Sequence, residues 1–224
     1  LWNVPSGHPD FGKLQACACG RAGQAQREQR VAALRDELAG LSHCTFATFQ
    51  QDRPLVELDL GEMGRVSVAA QKQQLARAYR TAWTYAQDPI GWVFLHGSPG
   101  AGKSHLAAAI ALHAAGFGRR VVYRSVPGLL DDLRPGGADP DAAMAAVLDA
   151  DLVILDDIGA EKLSPWAADR LFRVTNERLK RPTVVTSNHD IDQLDELLGP
   201  RIADRLAQAV NVWMPISSYR RIRQ

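Results

Sequence analysis

One stretch, Gly97-Ser98-Pro99-Gly100-Ala101-Gly102-Lys103-Ser104, constrains this chain more than any other. It fits G-x-x-x-x-G-K-S/T at every fixed position. It lies between an apolar run, Trp92-Val93-Phe94-Leu95, and an alanine- and leucine-rich helical stretch, Leu106 to Ala115. That is a buried strand, a glycine-rich turn and a helix in succession. The glycines let the backbone wrap a chain of phosphates, so that successive N–H groups point at its oxygens. The positive end of the following helix adds to the attraction. At this spacing Lys103 reaches the β- and γ-phosphates, and the Ser104 hydroxyl sits on Mg²⁺. The motif predicts a site for a nucleoside triphosphate.

The rest of the chain supplies a fold for that turn. Residues 1–20 are turn-rich, and Arg21 to Leu38 reads as a polar helix closed by Gly40, with a narrow apolar stripe of Val31, Leu34, Leu38 and Leu41. A segment of low regularity runs from Thr45 to about Val66, anchored by Phe46 and Phe49. Helical spacing returns from Ala69 to Ala86, and Asp88-Pro89 breaks it. Strands are then predicted at 92–96, 121–123, 152–155, 183–186 and 210–213. Between them, helices are predicted at 103–115, 126–133, 141–149, 166–179 and 202–207. Strands alternating with helices imply an α/β fold, a parallel sheet covered on both faces.

Composition narrows the setting. At 224 residues and 46% apolar side chains, one domain with at most a small appendage is expected. Twenty-six basic and 25 acidic side chains leave a net +1, so any nucleic-acid surface must be local. Three cysteines do not make a disulfide framework, and a reducing cytoplasmic setting follows. No apolar run approaches the roughly 18 residues of a membrane span.

Hydrolysis needs a metal and an activated water, and two carboxylates are placed for them. The apolar strand 152–155 ends in Asp156-Asp157, which brings both acids to the sheet edge where the phosphate loop lies. Asp156 would hold Mg²⁺ with Ser104, and Asp157 would polarise the attacking water. The other reading of this pair is a solvated strand end. Glu161, one turn onward, is a possible second carboxylate. Strand 183–186 runs into Ser187-Asn188, where Asn188 either orients water or simply forms a turn. Arg201 and Arg205 share a helix face, either as surface ion-pair formers or as an arginine lent to a neighbouring subunit's γ-phosphate.

Taken together, these segments resemble the AAA+ ATPases, and within them the DnaC/DnaI-type replicative helicase loaders and the related IstB-type transposition ATPases. The resemblance rests on Thr45-Phe46-Ala47-Thr48-Phe49, on the phosphate loop continued through His105-Leu106-Ala107, and on Leu155-Asp156-Asp157-Ile158-Gly159-Ala160-Glu161. Thr186-Ser187-Asn188, Asp204-Arg205-Leu206 and Ser218-Tyr219-Arg220 complete it. It covers residues 45–224 as the ATPase module and leaves 1–44 as an N-terminal segment. It implies a P-loop fold with a five-stranded sheet in the order 5-1-4-3-2. Nucleotide contacts would run over Gly97 to His105, with Asn188 as the polar sensor on its strand. The arginine finger would be Arg205 rather than Arg201, and Arg220 would touch the nucleotide in cis. It further implies ATP and Mg²⁺ as cofactors, assembly of several copies on single-stranded DNA, and a hexameric replicative helicase as partner. The IstB-type role, acting on DNA with a transposase, is the alternative.

Loaders of this kind often carry a zinc-binding cysteine cluster that grips the helicase. Cys17-Ala18-Cys19 would supply half of such a cluster, with His8, His43 and Cys44 as further candidates, but no upstream C-x-x-C is present. Segment 1–44 therefore reads as a partial helicase-binding piece or a zinc-cluster remnant, and no complete zinc site is expected. Between the second and third strands, Gly128 to Leu148 reads either as extra helices lining a DNA path or as an ordinary crossover. Basic residues are few in that stretch, so DNA binding would draw on backbone amides and on Arg124, Arg134 and Lys162.

Overall fold

The computed structural model describes residues 18–160 and 162–219; the expectations for His8, Cys17, Glu161 and Arg220 fall outside them. Five parallel strands form the central sheet: β1 (Trp92–Gly97), β2 (Val121–Ser125), β3 (Leu152–Asp156), β4 (Thr183–Ser187) and β5 (Val210–Met214). Their order is β5-β1-β4-β3-β2, with every pairing parallel, as the resemblance implied. Alternation along each strand divides the core. Val93, Leu95, Ile154, Val184 and Val212 face one layer; Phe94, Val153, Leu155 and Val185 face the other.

The first layer holds α1 (Ala18–Glu37), α2 (Val68–Gln87) and α3 (Lys103–Gly116). α3 lies between the sheet and the other two helices, so its side chains from Leu106 to Leu112 are buried all round. Alanine suits such a helix, because small side chains let three neighbours approach at once. Leu34 of α1 and Leu38 just past its end join this core, together with Cys44, Phe46 and Phe49 from the segment that follows.

The second layer holds α4 (Val126–Asp132), α5 (Pro140–Asp149), α6 (Pro165–Glu177), α7 (Ile191–Leu198) and α8 (Pro200–Ala207). Two elements were not foreseen. One is the short antiparallel hairpin Leu58–Asp59 with Arg65–Val66, inside the segment read as irregular. The other is α7, which opens on a capping box between Asp190 and Gln193. The pattern Asp190-x-x-Gln193 before Leu194 and Leu197-Leu198 was its signal. In the 128–148 stretch, Leu129, Leu130, Leu133, Met144 and Val147 are buried against the sheet. Arg124 is ion-paired with Glu37 and Asp132, and Arg134 with Asp131.

Arg178, at the end of α6, is fully buried. Its guanidinium donates to the carbonyls of Val147, Leu148, Ala150 and Pro182 and to the Thr183 hydroxyl. These acceptors belong to α5, to the lead-in of β3 and to the start of β4, so one cation gathers the chain below the sheet. Arg178→Met should lower unfolding free energy by about 3 kcal/mol, because buried carbonyls lose their donors. Urea denaturation of the variant checks this; unchanged stability would mean that water takes over those carbonyls.

Candidate nucleotide site

Parallel strands present their C-terminal ends along one edge, and the polar residues singled out in the sequence meet there. β1 runs into the phosphate loop, β3 ends in Asp156, and β4 runs into Asn188. They border a cavity of about 650 Å³ lined by Lys103, Ser104, Asp156, Asp157, Thr186 and Asn188 on one side. Gly40, Leu41, His43, Cys44, Thr48, Phe49, Arg53 and Tyr219 line the other side. A cavity of about 740 Å³ at the opposite sheet edge contains none of the predicted site residues. Its Arg120 is taken up by Asp151 and the Asp149 carbonyl.

The loop is preshaped by close packing. Gly97 has φ +126°, and a Cβ there would stand 2.5 Å from the Met214 carbonyl oxygen. Ser98 N–H donates to that same oxygen at 3.1 Å. Gly102 has φ +102°, and its Cβ would stand 2.9 Å from the Phe49 ring. Larger residues are excluded at both positions by contact and by backbone conformation. Pro99 is the exposed tip, Gly100 accepts from Tyr219 N–H at 3.2 Å, and Ala101 is fully buried.

Helices α2, α4, α5, α6 and α7 each begin with a side chain accepting from a first-turn N–H. α3, at Gly102, and α8, at Gly199, begin with no such cap. Only at α3 does the first turn line the cavity, where its amides can receive an anion. The Lys103 ammonium donates to Gly97 O and Ser98 O at 2.9 Å and to Asn188 Oδ1 at 2.8 Å. It thereby joins the loop to the end of β4. His105 lies on the cavity wall, but its Nε2 meets Thr45 O at 2.9 Å and its ring packs edge-on to Phe49. Burial pulls its pKa below the usual histidine value, which keeps the ring neutral. Its side chain therefore ties α3 to the segment Thr45–Phe49.

Asp156 is 8% exposed, and hydroxyls surround its carboxylate. Ser104 donates to Oδ1 at 3.0 Å, Thr186 donates to the same oxygen, and Tyr123 donates to Oδ2 at 2.7 Å. Burial, and then the neighbouring carboxylate, push the Tyr123 phenol above its usual pKa, so it stays a donor. The pairing of Ser104 with a carboxylate gives two hard oxygen ligands at one point, a donor set that fits Mg²⁺.

Asp157 has φ +61° and is the one described non-glycine residue with positive φ. Aspartate tolerates that region better than most residues, but the conformation costs about 1 kcal/mol. Thr186 helps to hold it, because the same hydroxyl that donates to Asp156 accepts from Asp157 N–H at 2.9 Å. Asn188 Nδ2 donates to Asp157 Oδ1 at 3.2 Å. Asp156, Asp157 and Asn188 are therefore linked, through the Thr186 hydroxyl and the Asn188 amide.

The arginines lie elsewhere. Arg205 is half-buried on α8, with Nη2 donating to Asn176 at 3.2 Å and Nε buried without an acceptor. Arg201 is exposed over the Phe172 ring. Neither lines the cavity of its own chain. The Tyr123 phenol, the bridging role of the Thr186 hydroxyl and Arg53 were not foreseen. A single tyrosine in the otherwise aliphatic run Val121-Val122-Tyr123 was the signal for the first of these.

Comparison with known proteins sets this geometry in a lineage. The family model described as IstB-like ATP binding protein matches residues 26–221. The replicative helicase loader DnaC of Escherichia coli is 28% identical over 168 residues, covering 72% of this chain and 68% of that protein. An insertion-sequence ATP-binding protein of Geobacillus stearothermophilus is 28% identical over 109 residues, covering 47% of this chain and 43% of that protein. Among solved structures, the DnaI crystal structure matches with TM-score 0.57 and 27% identity, over 64% of this chain and 85% of that one. The replication initiator DnaA bound to AMPPCP and single-stranded DNA shares the fold, with TM-score 0.59 and 20% identity over 76% of this chain and 49% of that one. The chain thus spans about half the length of the initiator structures it matches.

Thr186→Val removes the hydroxyl shared by Asp156 and Asp157 while keeping the branched shape. Unfolding free energy should fall by about 1–3 kcal/mol, and the Asp157 amide should lose hydrogen-exchange protection. Thr186→Ser should retain both. Equal protection in the valine variant would show that the hydroxyl does not hold Asp157.

Proposed function

The chain belongs to the family of IstB-like ATP-binding proteins, and from that premise we propose that it is an ATP-hydrolysing switch that loads a hexameric replicative helicase onto single-stranded DNA. The observation that carries the reading is the meeting of Lys103, Ser104, Asp156, Asp157 and Asn188 around one cavity at the sheet edge. Likeness to a helicase loader over 72% of the chain directs that chemistry to helicase loading.

In this reading the triphosphate lies along the loop Gly97–Ser104 and the uncapped start of α3. The Lys103 ammonium exchanges its carbonyl partners for phosphate oxygens. Ser104 and Asp156 would hold Mg²⁺, which when bound would supply neutralisation of phosphate charge. Asp157 accepts the proton of the attacking water, and Asn188 keeps that carboxylate and the water in line. His105 borders the nucleotide, and Arg220 contacts it in cis. Arg205 reaches the γ-phosphate held by a neighbouring copy, so ATP binds adjacent protomers together around single-stranded DNA. Hydrolysis removes the group that Arg205 touches, and the assembly relaxes. Residues 45–224 form the ATPase module, residues 1–44 contact the helicase, and the protein acts in the cytoplasm.

A second reading, an ATPase that acts on DNA with a transposase, draws on the match to the insertion-sequence protein. That match covers 47% of the chain against 72% for the loader, which favours the loader. Copurification from the native host separates them, since a hexameric helicase supports one partner and a transposase the other.

An ATPase assay with and without single-stranded DNA, combined with nucleotide titration, tests the site. Asp157→Asn should bind ATP but hydrolyse it about 100-fold or more slowly. Arg205→Ala should keep ATP affinity within about twofold while losing DNA-stimulated hydrolysis, an arginine-finger deficit of about 1,000-fold or more. Normal hydrolysis by the Arg205 variant would rule out the inter-protomer site.

A further inference from the structure

Two arginines are buried among the described residues, and the molecule uses them in opposite ways. Arg178 directs its donors to backbone carbonyls and the Thr183 hydroxyl, and it does not line the cavity. Arg53 is 6% exposed and lines the cavity itself. It makes a single hydrogen bond to the described residues, from Nη2 to Ala101 O at 2.6 Å. Its Nε is buried without an acceptor, and no described carboxylate pairs with it. Aromatic rings bracket the guanidinium, with Phe49 at 6.0 Å and Tyr219 at 5.7 Å. A buried cation with an unused donor beside a cavity is poorly satisfied by the protein alone, and it is a partner for an anion that enters.

The single hydrogen bond falls on the phosphate loop. In a trans peptide, the carbonyl of one residue and the N–H of the next point in opposite directions. Holding Ala101 O against Arg53 therefore sets the direction of Gly102 N–H, at the uncapped start of α3. Phe49, which packs on Gly102, keeps the guanidinium in place from the other side.

From this we infer that Arg53 is a nucleotide-binding residue: it orients the Ala101–Gly102 peptide of the phosphate loop and brings a positive charge with an unused donor to a nucleoside di- or triphosphate. The inference rests on the nucleotide reading of the cavity given above. It assigns Arg53 to the phosphates common to the two nucleotides, whereas Arg205 is assigned to the γ-phosphate alone. The two arginines should therefore differ in how they discriminate between ADP and ATP.

The test uses the full chain with Arg53→Met, Arg53→Gln and Arg53→Lys. ADP and a non-hydrolysable ATP analogue are titrated at low and moderate salt, and thermal unfolding is followed without nucleotide. Arg53→Met and Arg53→Gln should weaken both nucleotides by about tenfold and to the same extent, with a shallower salt dependence. Arg53→Lys, which keeps the charge, should stay within about threefold of the parent protein. Should Arg53→Met fail to fold, Arg53→Gln retains a donor for Ala101 O and decides the question. Affinities within about twofold of the parent, with only a lowered melting temperature, would make Arg53 a brace like Arg178 and overturn the inference. A parent protein that binds neither nucleotide would instead overturn the nucleotide reading itself.

Discussion

A carboxylate can be buried only if hydrogen bonds replace the water it gives up, and Asp156 meets that condition through hydroxyls from Ser104, Tyr123 and Thr186. Those side chains come from different elements, which explains why the strand order matters. β3 lies between β4 and β2, so Thr186 approaches from one neighbour and Tyr123 from the other. β1 is the strand next to β4, and α3 leaves it with Ser104 in its first turn. A different order of strands would scatter the donors and leave a buried charge without partners. The acidic centre and the topology are thus one constraint seen at two scales.

The loop beside it is held in its shape by its own packing. Backbone of β5 presses on Gly97, an aromatic ring presses on Gly102, and the Lys103 ammonium bonds inward to loop carbonyls. Preorganisation of this kind lowers the ordering penalty when an anion arrives. It also explains the glycines in physical terms. They stand where neighbouring backbone or a ring leaves no room for a Cβ, quite apart from how phosphate is recognised.

Much of this was legible in the amino-acid sequence because periodicity and motif agreed. The apolar runs ending at Leu95, Leu155 and Thr186 became β1, β3 and β4, and the polar residues that follow them meet at one edge. Contacts made across the fold by side chains that carry no motif were hidden. Tyr123 looks like an ordinary strand aromatic until its phenol meets Asp156. Arg53 sits in a segment with no helical or strand period, and its partner Ala101 is distant in sequence. The helix α7 was missed although its signal is present: Asp190 and Gln193 cap its start, and Leu194 and Leu198 are its buried positions. The stretch 128–148 left two readings open because apolar spacing alone does not say which face a helix pair offers to the sheet.

Two segments distant in sequence, Thr45–Arg53 and Met214–Tyr219, meet at the phosphate loop. Thr45–Arg53 reaches it through His105, Phe49 and Arg53, while Met214–Tyr219 reaches it through Ser98 and Gly100. Just past the first segment, Val56 N–H donates to the Ser217 hydroxyl of the second, and Gln71 of α2 bonds to both residues. A mechanical load on either segment therefore converges on a handful of peptide units. The two segments thus share one anchorage, and the phosphate loop is the place where the early and late parts of the described chain are joined.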